Sequence, residues 1–418
     1  MAAAVWIVGD ISYATGYLAV WEWWLHMVSP WIGRLPTLFG VGNHESGALQ
    51  QPLTAGPAPA NHYSYFSTND AGGECGIVTT ALLPLPSTGT RSAAASADAP
   101  YWALATGPFL LITLSSEHAF FPGSLQLQWL ETTLASANRT LTPFVLLGCH
   151  RPMYIDSTYA TDGRNAGSPD TGDTPVAASL QAHVEPLTMK YKVTLALYGH
   201  NHAVQRLTPA YRNASVQHST SIPHSSGVGT SALFLAPPAT LHMVIGTGGA
   251  GFTRNCAACS ASAPLPPPSF SERVFYAWGA LRITARNAST LELDWVDSGS
   301  GQVLDSVTLV QDLEKAWADE GGGGGGAQAR PGSGGPQGCW WAQAWGRWGR
   351  WGLWCWWARA CAGGGGGSRG QAWGRRGRPA SAATIASLRH KPQSTLFCSV
   401  LLTRGCRRLS RGLQNGEP

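Results

Sequence analysis

The sequence predicts an α/β fold in which parallel strand–helix units are followed by an antiparallel meander. Three observations carry this. Short apolar runs alternate with amphipathic helical segments through the first half of the chain. After residue 240 the pattern changes to short β-branched runs separated by turn residues. Four of the apolar runs lead into Gly-Asp, Gly-Asn, Cys-His or Gly-His, which places polar, metal-seeking side chains at strand ends.

The elements follow in order. Residues 4–8 (Ala-Val-Trp-Ile-Val) read as a buried strand ending at Gly9-Asp10. Residues 17–28 read as a helix, because Tyr17, Val20, Trp21, Trp24, Leu25 and Val28 recur at three-and-four spacing, with Pro30 expected to stop it. Residues 36–41 give the next strand, ending at Gly42-Asn43, so the first two strands form a parallel pair with a right-handed crossover. The pattern recurs with strand 109–114, helix 124–136, strand 143–148 leading to His150, helix 176–190, and strand 193–198 leading to Gly199-His200. Segments 46–108 and 155–175 read as long loops at the ligand-bearing edge, where they would shape a substrate pocket. Strands at 241–246, 275–285, 290–297 and 302–310 form the closing meander, so residues 1–318 make one α/β domain.

Residues 319–418 differ in kind. This stretch holds 14 Lys+Arg against 3 Asp+Glu, whereas residues 1–318 hold 14 against 20, so the net charge of +5 belongs to the tail. The first 318 residues carry no basic stripe, and nucleic acid is not an expected partner. The tail has two glycine runs, 321–326 and 363–367, around a Trp/Arg-rich stretch. Few aliphatics and no sustained period leave it unable to bury a core. It reads as disordered low-complexity sequence, or as translated non-coding sequence in a faulty gene model; a membrane- or RNA-binding arm is the functional alternative. Four of the nine cysteines precede the tail, and Cys256-Ala-Ala-Cys259 lacks the second pair a zinc site needs. Sequons at Asn138, Asn213 and Asn287 favour a secreted glycoprotein. No stretch is long and apolar enough to span a membrane, and no signal peptide is visible; the opening Met-Ala-Ala-Ala followed at once by a strand suggests that the true start lies upstream.

The chemistry gathers in four motifs: Gly-Asp-Ile-Ser-Tyr (9–13), Gly-Asn-His-Glu (42–45), Cys-His-Arg-Pro-Met-Tyr (149–154) and Gly-His-Asn-His (199–202). Asp10 offers the carboxylate that can bridge two metals. Tyr13 offers a hard phenolate, Asn43 a neutral oxygen, and His150, His200 and His202 imidazoles. Residues two apart on an extended segment share a side, so His200 and His202 can each face a metal. His44 points away from its neighbours and suits phosphate contact or protonation of a leaving group. Glu45 can orient a ligand from behind. Arg151 and Arg206 could neutralise an anionic substrate, with ordinary ion pairing the alternative for each. His26, His62, His118, His183, His218, His224, His242 and His390 read as structural. Gly246-Thr-Gly248-Gly-Ala-Gly251 matches a dinucleotide-binding pattern, but no helix follows it and no acidic residue falls at the required distance, so it reads as a tight turn.

With Gly-Asp-Ile-Ser-Tyr-Ala-Thr-Gly (9–16), Gly-Asn-His-Glu (42–45), Gly-Gly-Glu-Cys-Gly (72–76), His-Arg-Pro-Met-Tyr (150–154), Gly-His-Asn-His (199–202) and His242-Met-Val-Ile-Gly-Thr-Gly-Gly, the chain resembles the purple acid phosphatases over roughly residues 4–312. The large plant-type members, some acting on nucleotide pyrophosphates and phosphodiesters, are the nearest match. The resemblance implies a metallophosphoesterase-type β-sandwich flanked by helices. It implies an acid phosphatase with a binuclear centre, in which a metal-bound hydroxide attacks the phosphorus. Asp10 would bridge the metals. Tyr13 and His202 would hold Fe(III), and Asn43, His150 and His200 a divalent Fe, Zn or Mn. His44 would place the phosphate and protonate the leaving group. Small phosphate esters or nucleotides would be the substrates, a homodimer is compatible, and the location would be secreted or vacuolar. The family's upstream Asp-x-Gly motif, whose Asp is a ferric ligand, is not in this sequence, nor is the N-terminal fibronectin-like domain of plant members. That makes a catalytically impaired or dead member, or a nucleotide pyrophosphatase/phosphodiesterase, the alternatives to a working acid phosphatase.

Overall fold

The computed structural model describes residues 2–46, 71–86, 99–156, 173–226, 229–252, 268–312 and 399–404. The first half runs β1 (Ala2–Ile7), α1 (Leu18–Ile32), β2 (Thr37–Phe39), α2 (Asn43–Ser46), α3 (Ile77–Leu82), β3 (Trp102–Thr106), β4 (Phe109–Leu114), α4 (Leu125–Ala135), β5 (Phe144–Cys149), α5 (Asp173–His183), α6 (Glu185–Lys190) and β6 (Leu195–Tyr198). Then come β7 (Val204–Tyr211), β8 (Ala214–Ser215), β9 (Thr220–Pro223), β10 (Thr230–Leu235), β11 (Leu241–Ile245), β12 (Ser271–Phe275), β13 (Gly279–Ala285), β14 (Thr290–Asp297), β15 (Val303–Val310) and β16 (Ser399–Arg404).

The strands form two sheets. One runs β2-β1-β16-β13-β14-β15-β10-β9; the other runs β12-β7-β11-β6-β5-β4-β3, with β8 beside β7. Alternation along β5 shows how they pack. Leu146 joins the cluster that also holds Trp6, Leu197, Ile283 and Trp295, between the sheets. Val145 and Leu147 face the opposite way, onto Trp129 and Leu130 of α4 and Val176 and Leu180 of α5. The architecture is therefore a mixed α/β sandwich with helices on its flank.

Several expectations are refined. α1 does not stop at Pro30 but runs to Ile32. Proline cannot bond the carbonyl four residues back, and here the Ser29 hydroxyl donates to that carbonyl, His26 O, at 2.9 Å. The predicted helix 176–190 is two helices, broken at Val184 ahead of Pro186. Strand 241–246 is not in the meander: β11 pairs parallel with β6 and antiparallel with β7. Predicted strand 275–285 is also divided, with β12 on β7 and β13 on β14 in different sheets. The antiparallel meander is β13–β14–β15. The segment read as one loop at 46–108 contains α3 and β3. In the tail, β16 is a strand the sequence reading did not find; the Trp/Arg-rich stretch and the Cys256–Cys259 pair lie outside the described residues.

His242 sits at the centre of the second sheet, stacked on Tyr198, whose hydroxyl is 3.0 Å from its Nδ1. Burial pushes its imidazole down from 6.5 to about 3. An unfolded chain would take up that proton near 6.5 while the folded chain refuses it. Stability should therefore fall as pH drops from 6.5 toward 3, by up to about 1.4 kcal/mol per pH unit from this residue. His242→Gln is expected to flatten that acid limb in denaturant titrations at several pH values; an unchanged slope would remove His242 as its cause.

Candidate metal centre

The ligand-bearing turns come from both sheets. Asp10 follows β1 and Asn43 follows β2, which are parallel neighbours in the first sheet. His150 follows β5 and His200 follows β6, parallel neighbours in the second. The sequence reading placed all of them along one sheet; the structure brings the strand ends of two facing sheets together.

The turns are tight. Asp10, Tyr13 and His200 all have positive φ, at 53°, 54° and 60°. Non-glycine residues in that region cost about 1–3 kcal/mol each and persist where the surroundings over-determine them. Glu45 supplies much of that determination. It is fully buried, and it accepts from Asp10 N at 2.8 Å, Ile11 N at 2.6 Å and Gly42 N at 2.9 Å. It thus ties the two first-sheet turns together. Gly42 lies in the same contact: a Cβ there would overlap Asp10 Oδ1 and sit 2.8 Å from His150 Cδ2.

The side chains form two overlapping groups. In the first, Asn43 Oδ1 is 2.9 Å from His150 Nε2 and 3.0 Å from His200 Nδ1, and the two ring nitrogens are 3.3 Å apart. Asp10 Oδ2 lies 3.1 Å from His150 Nε2. In the second, the Tyr13 hydroxyl is 3.2 Å from the same Asp10 oxygen and 3.1 Å from His202 Nε2. Asp10 belongs to both. The His44 ring stands 4.3 Å from the Tyr13 ring, and its backbone N–H donates to Asp10 Oδ1 at 3.1 Å.

Electrostatics follow from this crowding. Burial would raise the Asp10 carboxyl, but the imidazoles of His150, His44 and His200 hold it well below the usual range. Burial would lower His150, yet the Asp10 carboxylate holds it above its ordinary value. Burial, then the Asp10 charge, push Glu45 up to about 8 against its backbone donors. His202 is lowered, mainly by burial.

The donor set fits metal ions. Two ring nitrogens, an amide oxygen and a carboxylate converge within hydrogen-bond distance, more lone pairs than one shared proton satisfies. His202 Nδ1 lies 2.6 Å from the Gly251 carbonyl, which fixes a proton there and turns the unprotonated Nε2 toward the Tyr13 hydroxyl, 3.1 Å away. The glycine turn at 246–251, a false dinucleotide motif, thus orients a metal ligand. Gly246 is required for it, since a Cβ would overlap Asn201 O.

Two sequence candidates for neutralising an anion are engaged in ion pairs. Arg151 is buried and paired with Glu117 through Nε at 2.8 Å, with one terminal nitrogen 3.3 Å from His200 Nε2. Arg206 pairs with Glu272 and Asp305. For both, ion pairing is what the structure shows. Two supporting residues were given no role from sequence, although Glu74 lies in the 72–76 motif. Glu117 is one. Glu74 is the other, accepting from Gly16 N and Trp21 Nε1, each at 2.9 Å, while Gly76 N donates to Glu45 O. The 72–76 motif therefore braces the Asp10–Tyr13 turn from outside. A second His/Asp/Glu group, His224, Glu292 and Asp294, is neutralised by Arg282 and Arg286 and reads as a structural network.

The family model described as "Iron/zinc purple acid phosphatase-like protein C" matches residues 239–306, from β11 through the first half of β15. The structure of purple acid phosphatase PPD1 from yellow lupin (Lupinus luteus) seeds superposes with a TM-score of 0.59 at 25% identity, over 74% of this chain and 47% of that one. In sequence and in fold the chain is similar to the purple acid phosphatases. "Probable inactive purple acid phosphatase 1" of Arabidopsis thaliana is 28% identical over 74% of this chain and 43% of its own length. A "Nucleotide pyrophosphatase/phosphodiesterase" of Hordeum vulgare is 26% identical over 73% of the chain and 71% of its own length. The chain spans less than half the length of the Arabidopsis relatives named probable inactive purple acid phosphatases 1, 27, 9 and 24.

Proposed function

We propose that the chain is a metal-dependent phosphoric ester hydrolase of the acid phosphatase type, acting on small phosphate esters or nucleotides. The observation that carries this reading is the sharing of Asp10 between two donor groups. One carboxylate reached from both sides is the arrangement that holds two metals a few ångströms apart. Asn43, His150 and His200 would hold a divalent ion, and Tyr13 and His202 Fe(III), with Asp10 between them. Such a centre, when bound, activates a water and neutralises phosphate charge.

The chain's own residues do the rest. Asp10 stays ionised through the acid range, because the surrounding imidazoles hold its carboxyl low. Glu45 keeps the Asp10 and Asn43 turns in register. His44 would donate a proton to a departing alkoxide, a role supported by its half-buried position beside Tyr13. A secreted or vacuolar location belongs to the same proposal and is supported by Asn213 and Asn287, exposed at turns.

A second reading is a phosphatase-fold protein without turnover. It is supported by the Tyr13 position, which gathers three protein donors: Asp10, Tyr13 and His202. The full chain, reconstituted with iron and zinc, should release p-nitrophenol from p-nitrophenyl phosphate at pH 5, and His44→Ala should lower kcat by about 10²–10⁴. Two bound metals with no turnover on a monoester, a diester or a nucleoside diphosphate would select the second reading.

A further inference from the structure

β1 is buried on both faces: Val5, Trp6 and Ile7 are at most 4% exposed. A strand buried in this way is a central strand and needs a backbone partner along each edge. β2 supplies one, in parallel register from Val5↔Thr37 to Ile7↔Phe39. On the other side the next strand of the domain proper is β13, with Leu281 and Ile283 fully buried, and β13 does not pair with β1. The space between them is one strand wide. Residues 399–404 occupy it, antiparallel to β1 from Ala2↔Thr403 to Ile7↔Ser399, and parallel to β13 from Ala280↔Ser399 to Ala285↔Arg404.

We propose that the space between β1 and β13 is a strand-acceptor site, that residues 399–404 of the same chain are its occupant, and that filling it fixes the strand carrying Asp10 and Tyr13. The recognition is β-augmentation: backbone ladders on both sides of the extended segment Ser399–Arg404 supply the attraction. Two observations favour the chain's own segment. It falls in the same compact unit as residues 1–320. It also belongs to the same chain as β1 and β13, so its pairing needs no second molecule. The consequence for the site is direct. Asp10 lies three residues past the end of β1, so an open β1 edge would loosen the carboxylate shared by both donor groups. The proposal concerns the sheet and does not rest on the phosphoesterase reading.

The register gives a test that needs no destabilised variant. Ala4 lies opposite Leu402, so Ala4→Cys with Leu402→Cys in the full chain should form a disulfide, read by peptide mapping under non-reducing conditions. A 4–402 link within one chain is expected. No link, or a link between two chains, would overturn the assignment. Hydrogen–deuterium exchange is the second readout. Leu401→Pro with Leu402→Pro removes one ladder donor on each side and should cut protection of residues 2–7 and 279–285 at least about tenfold, while Ala382→Pro leaves it unchanged. Equal protection in both variants would sink the proposal.

Discussion

Glu45→Ala is expected to lower the stability of the metal-free chain by roughly 3–5 kcal/mol, because three buried backbone N–H groups lose their acceptor together. The donors belong to Asp10, Ile11 and Gly42, so the loss falls on the two turns that carry Asp10 and Asn43. Denaturant unfolding measures it. Glu45→Gln separates charge from hydrogen bonding: it keeps one acceptor oxygen and places an amide N–H₂ against backbone donors. It should fall between wild type and alanine. A loss under about 1 kcal/mol for Glu45→Ala would mean that water replaces the carboxylate without strain, and that the turns hold themselves.

Asp10→Ala should have the largest effect on the site. Its Oδ2 reaches both His150 and Tyr13, and its Oδ1 holds the His44 backbone. Loss of a supporting contact around a metal commonly costs 10–100-fold in affinity, and loss of a shared ligand should exceed about 100-fold for both ions. The variant should also fold, since removing a buried carboxylate relieves repulsion with Glu45, which should then fall from its raised value. A variant that loses only one metal would place Asp10 in a single donor group.

Much of this was legible in the sequence, for a physical reason in each case. β4, α4, β5 and β6 fall close to where the apolar period placed them, because a buried parallel strand is a continuous apolar run and an amphipathic helix keeps its face. The metal-ligand candidates come together because the strand ends of two parallel pairs, one in each facing sheet, meet at the site. Sheet membership was not legible. β11 and β12 look like the strands that follow them, and which sheet they join depends on partners far away in the chain. Pro30 misled because the rescue of the His26 carbonyl by Ser29 is a side-chain contact. Glu74, Glu117 and the Gly251 carbonyl act on the site through contacts distant in the chain; the 72–76 and 246–251 patterns marked two of them without showing what they touch.

The most direct measurement is metal content per chain, by mass spectrometry, after the purified full chain is reconstituted with iron and zinc. Two metals per chain are expected, one of them iron, with a visible charge-transfer band that disappears in Tyr13→Phe. One metal or none, or a band indifferent to Tyr13, would contradict a binuclear centre built on Asp10.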